Sequence, residues 1–168
     1  MDFYEVIHNR RSVRAYKTDP VDEAALGRIL EAARQAPSAA NRQPWKLYVI
    51  RSAERREALR EAYGAEWFSS APVIICACGV PAQAWQRRDG KLYMDVDVAI
   101  AFEHLVLAAE AEGLGTCWVG AFDPRAARRV LQLPATEEPI AMTPLGVPAE
   151  APPARERKPL EEIVTYVD

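Results

Sequence analysis

With 168 residues, of which 49% are hydrophobic, the chain is long enough to bury one sizeable core but too short for two. A net charge of −3 gives no general attraction to nucleic acid or to a membrane surface, so neither is expected as a partner. The 3 cysteines argue against a disulfide framework, and the 2 histidines leave little material for a zinc site or a histidine-based triad. We predict a single domain over residues 1–168 with no metal site.

The N-terminal region predicts a helix followed by a basic cluster. The first residues are acidic and mixed, and no apolar run of the signal-peptide type follows, so a cytoplasmic protein is expected. Apolar residues at helical spacing predict a helix over residues 2–9, after which the chain reads Arg10-Arg11-Ser12-Val13-Arg14. Guanidinium groups match phosphate oxygens in pairs, so this cluster indicates a bound phosphate. The alternative is an exposed basic patch paired with Asp2, Glu5 or Asp19.

A second helix is expected to begin after Asp22, whose side chain can accept from free backbone N–H groups, and to stop before Pro37. The loop that follows reads Pro37-Ser38-Ala39-Ala40-Asn41-Arg42-Gln43-Pro44-Trp45. Between its two prolines the loop carries the hydroxyl of Ser38, the amides of Asn41 and Gln43, and the cation of Arg42. Amides present a donor and an acceptor together, which suits the edge of a heterocycle that has both. We therefore interpret the loop as a binding loop.

Alternation and apolar runs predict strands over residues 45–50, 73–78 and 140–145. The second run is continuously apolar, which is typical of a strand buried on both faces. Its Cys76 and Cys78 share one face, where a metal or redox pair is conceivable but buried thiols are commoner. Helices are expected after Ser52, carrying Arg55, Leu59 and Tyr63, and over residues 124–131, and residues 81–90 are expected to form an exposed loop.

The longest apolar segment, residues 96–112, predicts a central helix buried on all sides. Such a helix spans about 25 Å, but the charged residues in it and at its ends argue against a membrane span. Asp95 or Asp97 is expected to cap its start, and Gly113 to end it in the left-handed conformation. Residues 115–122 then read as a strand with small side chains, where a flat ligand can approach closely.

The C-terminal region is rich in proline, with 7 of the 13 prolines between Pro134 and Pro159. After the strand over residues 140–145, which is expected to end at Gly146, Pro148, Pro152 and Pro153 predict an extended tail. This tail carries a second basic cluster of Arg155, Arg157 and Lys158. Residues 160–167 return to strand-like or short helical character. An end this apolar is expected to dock on the chain's own sheet or on a partner's.

Four segments together resemble the nitroreductase family of FMN-dependent, NAD(P)H-using oxidoreductases. They are residues 10–14, residues 37–45, residues 113–122, and Pro144-Leu145-Gly146 with the later Arg155-Glu156-Arg157-Lys158-Pro159-Leu160. They occur in family order and span the chain. The resemblance implies an α+β fold with a mostly antiparallel sheet flanked by helices, a long buried central helix and an extended C-terminal tail exchanged in a homodimer.

The resemblance also implies a site at the dimer interface, in which Arg10, Ser12 and Arg14 lie along the phosphate and pyrimidine side of FMN. Ser38 and Asn41 would reach the ring edge, and the backbone near Gly120 would face N5. Where some relatives carry an acidic side chain, this chain has Gly120. The full set of implied cofactor-binding residues is Arg10, Arg11, Ser12, Arg14, Pro37, Ser38, Asn41, Val119, Gly120, Ala121, Arg155 and Arg157, and the implied catalytic residues are Arg14, Asn41 and Gly120.

The implied reaction is hydride transfer from NAD(P)H to FMN, followed by reduction of a small nitroaromatic, quinone or enone acceptor in the same site. Gly113 and Gly115 do not form a Rossmann fingerprint, so no separate dinucleotide domain is expected. Two alternatives stay open: specialised flavin chemistry such as reductive dehalogenation or dehydrogenation, and a non-catalytic nucleotide-binding module. An open pocket is expected beside the flavin, edged by some of Trp67, Phe68, Trp85 and Tyr93, unless these aromatics only complete the core.

Overall fold

The computed structural model of the protein describes residues 2–167 and contains a four-stranded antiparallel sheet flanked by helices. The strands are β1 (Trp45–Ile50), β2 (Val73–Gly79), β3 (Gly115–Thr116) and β4 (Glu138–Gly146), in the order β1-β2-β4-β3. The helices are α1 (Phe3–Asn9), α2 (Glu23–Arg34), α3 (Ala53–Ala58), α4 (Glu66–Ser70), α5 (Met94–Ala111) and α6 (Pro124–Leu131). Short 3-10 turns cover Ala39–Asn41, Leu59–Glu61, Pro81–Gln83 and Leu160–Glu162. This is the α+β arrangement that the family resemblance implies.

Strand β2 divides the core into two halves because its side chains alternate between the faces of the sheet. Ile75 and Ala77 pack with α2 and α5 on one face, whereas Ile74 and Cys76 pack with α6 and Phe68 on the other. Every residue of β2 is buried, as its continuous apolar run predicts. Each fully buried aliphatic side chain contributes about 1.5–3 kcal/mol to folding. Cys76 and Cys78 are free, buried thiols with their sulfurs 3.8 Å apart.

Helix α5 is the central helix, but its start differs from the prediction. Tyr93 stands at the N-cap and makes no side-chain cap hydrogen bond. Asp97 lies inside the helix and accepts a hydrogen bond from Ala39 N, at 2.9 Å, so its carboxylate serves a neighbouring loop instead of its own helix end. The expected cap at Asp95 or Asp97 is therefore wrong. At the other end, Gly113 adopts φ +74° as predicted, a conformation in which glycine carries no steric cost.

Within one chain, α5 is not covered on all sides. Val98, Phe102 and Leu105 are buried against the sheet and α2. Val96 is 38% exposed, and Leu107 belongs to a surface groove of about 400 Å³ lined by Phe3, Val6, Ala32, His104, Leu107, Ala108 and Ala111. The helix is mostly apolar, yet among the described residues nothing covers the face that carries Val96 and Leu107.

The strand expected over residues 115–122 is much shorter. The continuous pairing with β4 stops after Gly115–Thr116, because Cys117 N then donates to the side chain Thr143 Oγ1, at 3.0 Å, instead of to a strand backbone. Val119 rejoins β4 through two hydrogen bonds with Met142, of 2.8 and 3.0 Å. Gly120 and Ala121 then leave the sheet and are exposed.

Other expectations differ in detail. The helix after Ser52 ends at Ala58 and continues as a 3-10 turn, so Tyr63 lies beyond it. The expected exposed loop over residues 81–90 contains a 3-10 turn and the buried Ala84. At the C-terminus, the strand-like end forms a 3-10 turn at Leu160–Glu162, and residues 160–167 are exposed.

Candidate functional site: a basic cavity and an amide loop

The two basic clusters of the sequence meet at one cavity, although they lie near opposite ends of the chain. The cavity has a volume of about 110 Å³ and is lined by Arg10, Arg11, Ser12, Arg14, Pro152, Pro153, Arg155 and Arg157. We call it the basic cavity. Both predicted groups of arginines contribute to it, and Ser12 adds a hydroxyl.

Backbone pairing brings the two ends together. Val13 N donates to Thr116 O of β3 at 2.9 Å, so the N-terminal arm runs along the edge of the sheet. Lys17 N donates to Val147 O and Ala149 N donates to Ala15 O, both at 2.9 Å, which pairs the same arm with the segment after β4. The tail then reaches residues 10–14, and the carboxylate of Glu150 accepts a hydrogen bond from Arg14 N at 2.6 Å.

Two carboxylates act on the basic cavity without forming an ion pair with its arginines: Glu150 accepts from the backbone N–H of Arg14, and Glu110 interacts electrostatically with Arg10 and Arg11. Within residues 2–167, none of its arginines forms an ion pair. Arg11 and Arg157 donate instead to nearby backbone carbonyls, at 3.0 Å to Arg10 O and 3.1 Å to Arg155 O. Guanidinium groups that are not ion-paired, around a small cavity and beside a hydroxyl, are a donor set that suits a phosphate group. The phosphate of FMN fits this set.

A buried thiol and a half-buried phenol lie beside the basic cavity. Burial raises the pKa of the Cys117 thiol, while Arg14, Ser12 and Arg10 act in the opposite direction. Burial likewise raises the pKa of Tyr16 well above its ordinary value, and its hydroxyl donates to Val13 O at 2.6 Å. Both groups are therefore neutral near pH 7 and do not offset the arginine charge.

The loop of residues 38–43, which we call the amide loop, has an unusual backbone. Ala40, Asn41 and Gln43 have φ of 52°, 53° and 48°, which non-glycine residues seldom adopt. Ser38 Oγ accepts a hydrogen bond from Gln43 N at 2.9 Å, and Gln43 Nε2 donates to Asn41 Oδ1 at 3.1 Å. The two amide side chains thus hold each other near the surface, where Asn41 is exposed.

The predicted site residues are not all brought together within one chain. Pro37, Ser38 and Asn41 belong to or flank the amide loop, and Val119, Gly120 and Ala121 follow β3. In the described range 2–167, neither group lines the basic cavity. A methyl group built on Gly120 would have no neighbour within 4 Å, so packing in this chain does not require a glycine there.

The four candidate pocket aromatics separate into three environments. Phe68 is completely buried, so it belongs to the core and not to a pocket. Trp67 is half-buried, and its ring lies 5.8 Å from the Arg14 guanidinium carbon. Trp85 and Tyr93 pack edge to face at 5.0 Å, in the region where Arg42 donates to Ala84 O at 3.2 Å.

Sequence reasoning missed several neighbours of the site. The contact of Trp67 with Arg14, the contact of Glu150 with Arg14 N and the support of the amide loop by Asp97 all join distant residues. The one available signal was Asp97 itself, a carboxylate within an apolar helix. Over the described part of the chain, no helix is long and apolar enough to cross a membrane, and no group of three or more metal-binding side chains occurs.

Comparison with known proteins decides the family. The sequence model of the Nitroreductase family matches residues 7–69 and 60–147. The chain belongs to the Nitroreductase family. The resemblance inferred from its four motifs is confirmed.

Individual relatives agree with this membership. An NADH dehydrogenase from Thermus thermophilus is 34% identical, with 94% of this chain and 92% of that protein covered. An FMN reductase (NAD(P)H) from Bacillus subtilis is 28% identical, with 92% of this chain and 69% of that protein covered. A crystal structure of a nitroreductase family protein from Clostridium difficile 630 matches with a TM-score of 0.91 at 36% identity, covering 99% of this chain and 98% of that one. The nitroreductase fold and the oxidoreductase class are therefore shown.

Proposed function

We propose that the protein is an FMN-dependent oxidoreductase that moves a hydride from NAD(P)H to a small organic acceptor of the nitroaromatic, quinone or enone type. The two half-reactions share one site and follow a ping-pong order. The observation that carries the proposal is the meeting of residues 10–14 with Arg155 and Arg157 around one cavity. The name of the Bacillus subtilis relative, an FMN reductase, supports the same cofactor.

The basic cavity is proposed to hold the phosphate of FMN. Arg10, Arg11, Arg155 and Arg157 supply charge and paired donors, and the Ser12 hydroxyl adds a further donor. A hydrogen bond to a charged group contributes about 1.5–3 kcal/mol. When bound, FMN supplies the ring that accepts and returns the hydride.

Arg14 is proposed to lie at the pyrimidine side of the ring. Its guanidinium carbon lies 5.8 Å from the centroid of the Trp67 ring and its backbone N–H donates to Glu150, so the segment that carries the cation is anchored before the cofactor arrives. A fixed cation stabilises the negative charge that reduction places on that side of the flavin. Arg14 is therefore proposed to raise both the affinity for FMN and the reduction potential of the bound flavin.

Ser38 and Asn41 are proposed to contact the ring edge, with Pro37 flanking them, and the backbone of Val119, Gly120 and Ala121 is proposed to lie near the hydride-accepting atom. Because Gly120 and Ala121 are exposed and the space around Gly120 is open, a flat ring can approach the backbone there without displacing a side chain.

The protein is also proposed to be a homodimer with FMN at the interface. The uncovered face of α5, together with Phe3 and Ile7 at 63% and 48% exposure, presents an apolar surface of the kind that a second subunit covers. A partner would also account for the separation, within one chain, of the amide loop from the basic cavity. The exposed apolar tail, residues 160–167, is proposed to dock on the partner's sheet.

The test is the visible spectrum of the purified protein, followed by anaerobic addition of NADPH and of NADH. We expect a yellow protein that bleaches on reduction and regains its colour with a quinone or nitroaromatic. A colourless protein that does not bind added FMN would refute the flavoenzyme and favour the nucleotide-binding module. Size measurement by light scattering tests the dimer separately.

A further inference from the structure

We infer that Asp97 is the positioning residue that holds the amide loop in the shape that presents Ser38 and Asn41 to the flavin. The inference rests on the proposed function, since the loop matters only if it meets a ligand. Because Asp97 is 1% exposed and its carboxylate accepts a hydrogen bond from Ala39 N, we infer that it acts through the loop backbone and not by contact with the ligand.

The setting of Asp97 is unusual for a carboxylate. It lies in the first turns of α5 among apolar residues and is 1% exposed. A buried carboxylate is costly unless it is paired with donors. Its Oδ1 accepts from Ala39 N at 2.9 Å, and no described residue donates to its Oδ2, which is also buried. The carboxylate does not cap α5, so its one identified contact is with the amide loop.

The amide loop needs such support because its backbone is strained. A left-handed conformation costs a non-glycine residue roughly 1–2 kcal/mol, and Ala40, Asn41 and Gln43 all adopt it. The bond from Gln43 N to Ser38 Oγ closes the loop on itself but does not tie it to the rest of the protein. The bond from Ala39 N to Asp97 ties it to α5, the central helix, immediately before the left-handed residues.

A carboxylate at a buried position of the helix points to positioning and not to simple stabilisation. An apolar side chain would pack there without needing a hydrogen-bond donor, so the carboxylate is explained by its bond with Ala39 N. Backbone strain that persists in a folded protein is concentrated at functional sites. The loop that Asp97 supports is also the loop with two amides for a ligand.

The experiment compares Asp97→Ala, Asp97→Asn and the control Asp95→Ala, which removes an exposed carboxylate from the same helix turn. Amide hydrogen exchange at Ala39 is measured without cofactor, and FMN affinity and the visible spectrum are measured by titration. In Asp97→Ala we expect exchange at Ala39 to be about tenfold faster and FMN affinity to be about tenfold weaker, as for loss of one hydrogen bond to a charged group. Asp97→Asn keeps an acceptor oxygen, so its exchange rate at Ala39 and its FMN affinity should both stay within about threefold of the wild-type values. Asp95→Ala should change neither the exchange rate nor the affinity.

The outcomes separate this inference from the proposed function. If the wild type binds FMN and Asp97→Ala matches it in Ala39 exchange or in affinity, the inference is overturned. Should Asp97→Ala fail to fold, Asp97→Asn decides, because an amide oxygen is a weaker acceptor than a carboxylate: faster exchange at Ala39 with a matching loss of FMN affinity, both within the threefold limit, supports positioning, and loss of FMN binding with unchanged exchange overturns it. If the wild type itself does not bind FMN, the proposed function fails, whereas faster exchange in Asp97→Ala still supports the anchoring of the loop.

Discussion

The basic cavity and the amide loop recognise a ligand in different ways. The cavity gathers charged side chains from both ends of the chain, and within the described residues none of these side chains forms an ion pair. The amide loop is one continuous segment. A hydrogen bond from Gln43 N to Ser38 Oγ closes it, and a hydrogen bond from Ala39 N to Asp97 connects it to α5. The first arrangement suits strong, salt-sensitive attraction to a phosphate, and the second suits precise orientation of a flat ring. The difference teaches that affinity and geometry are supplied by separate parts of this fold.

The largest effect is expected for Arg14→Ala. Loss of a cation that serves the cofactor directly should weaken FMN binding about 30-fold and lower the flavin reduction potential. Because exposed charges are screened by salt, the dependence of affinity on NaCl should also become shallower. Affinity titrated at several salt concentrations checks this, with Arg125→Ala on the surface of α6 as the control. Unchanged affinity and potential would remove Arg14 from the site.

Gly120→Ala extends the comparison to the segment after β3. Since a methyl group there has no neighbour within 4 Å, thermal unfolding should be unchanged. A flavin ring that approaches the backbone would collide with the added methyl group. Because inserting a methyl group into a filled space costs about 1–3 kcal/mol, FMN affinity or the rate of flavin reduction by NAD(P)H should fall about tenfold. Thermal melts and stopped-flow reduction measure the two effects. Normal reduction kinetics would place the flavin elsewhere.

Asn41→Ala tests the orienting role of the amide loop. We expect about a fivefold loss of FMN affinity, equal to one neutral hydrogen bond, together with a shifted flavin spectrum and slower hydride transfer. The salt dependence of affinity should remain that of the wild type, in contrast to Arg14→Ala. If the salt dependence fell as it does for Arg14→Ala, the division between the two regions would be wrong.

The smallest effect is expected for Glu150→Gln. This change keeps an acceptor for Arg14 N but removes the negative charge beside the basic cavity. Because like charges repel, FMN should bind about two- to threefold more tightly at low salt, and the gain should disappear at high salt. Weaker binding at low salt would show that the carboxylate contributes to the site through its charge.

Local chemistry predicted much of the molecule. The continuous apolar run of β2, the helix start at Asp22, the left-handed Gly113 and the strand over residues 45–50 all follow from neighbouring residues. The four motifs also identified the family. The prediction that Asp97 caps α5 was wrong because capping rules use only the sequence near a helix start, whereas the hydrogen-bond partner of Asp97, Ala39 N, is far away in the chain.

The sequence by itself determined the residue types, and therefore the chemistry: guanidinium groups for a phosphate, amides for a ring edge and apolar residues for a central helix. The tertiary structure alone decided which of these groups meet. In the folded chain, Arg10 and Arg14 line the same cavity as Arg155 and Arg157. Phe68 is buried in the core, and Trp67 lies beside Arg14. Strand β3 is short because Cys117 N bonds to the side chain of Thr143. The physical reason is that such contacts join residues distant in the chain, and their geometry depends on sheet pairing and core packing that no local pattern records.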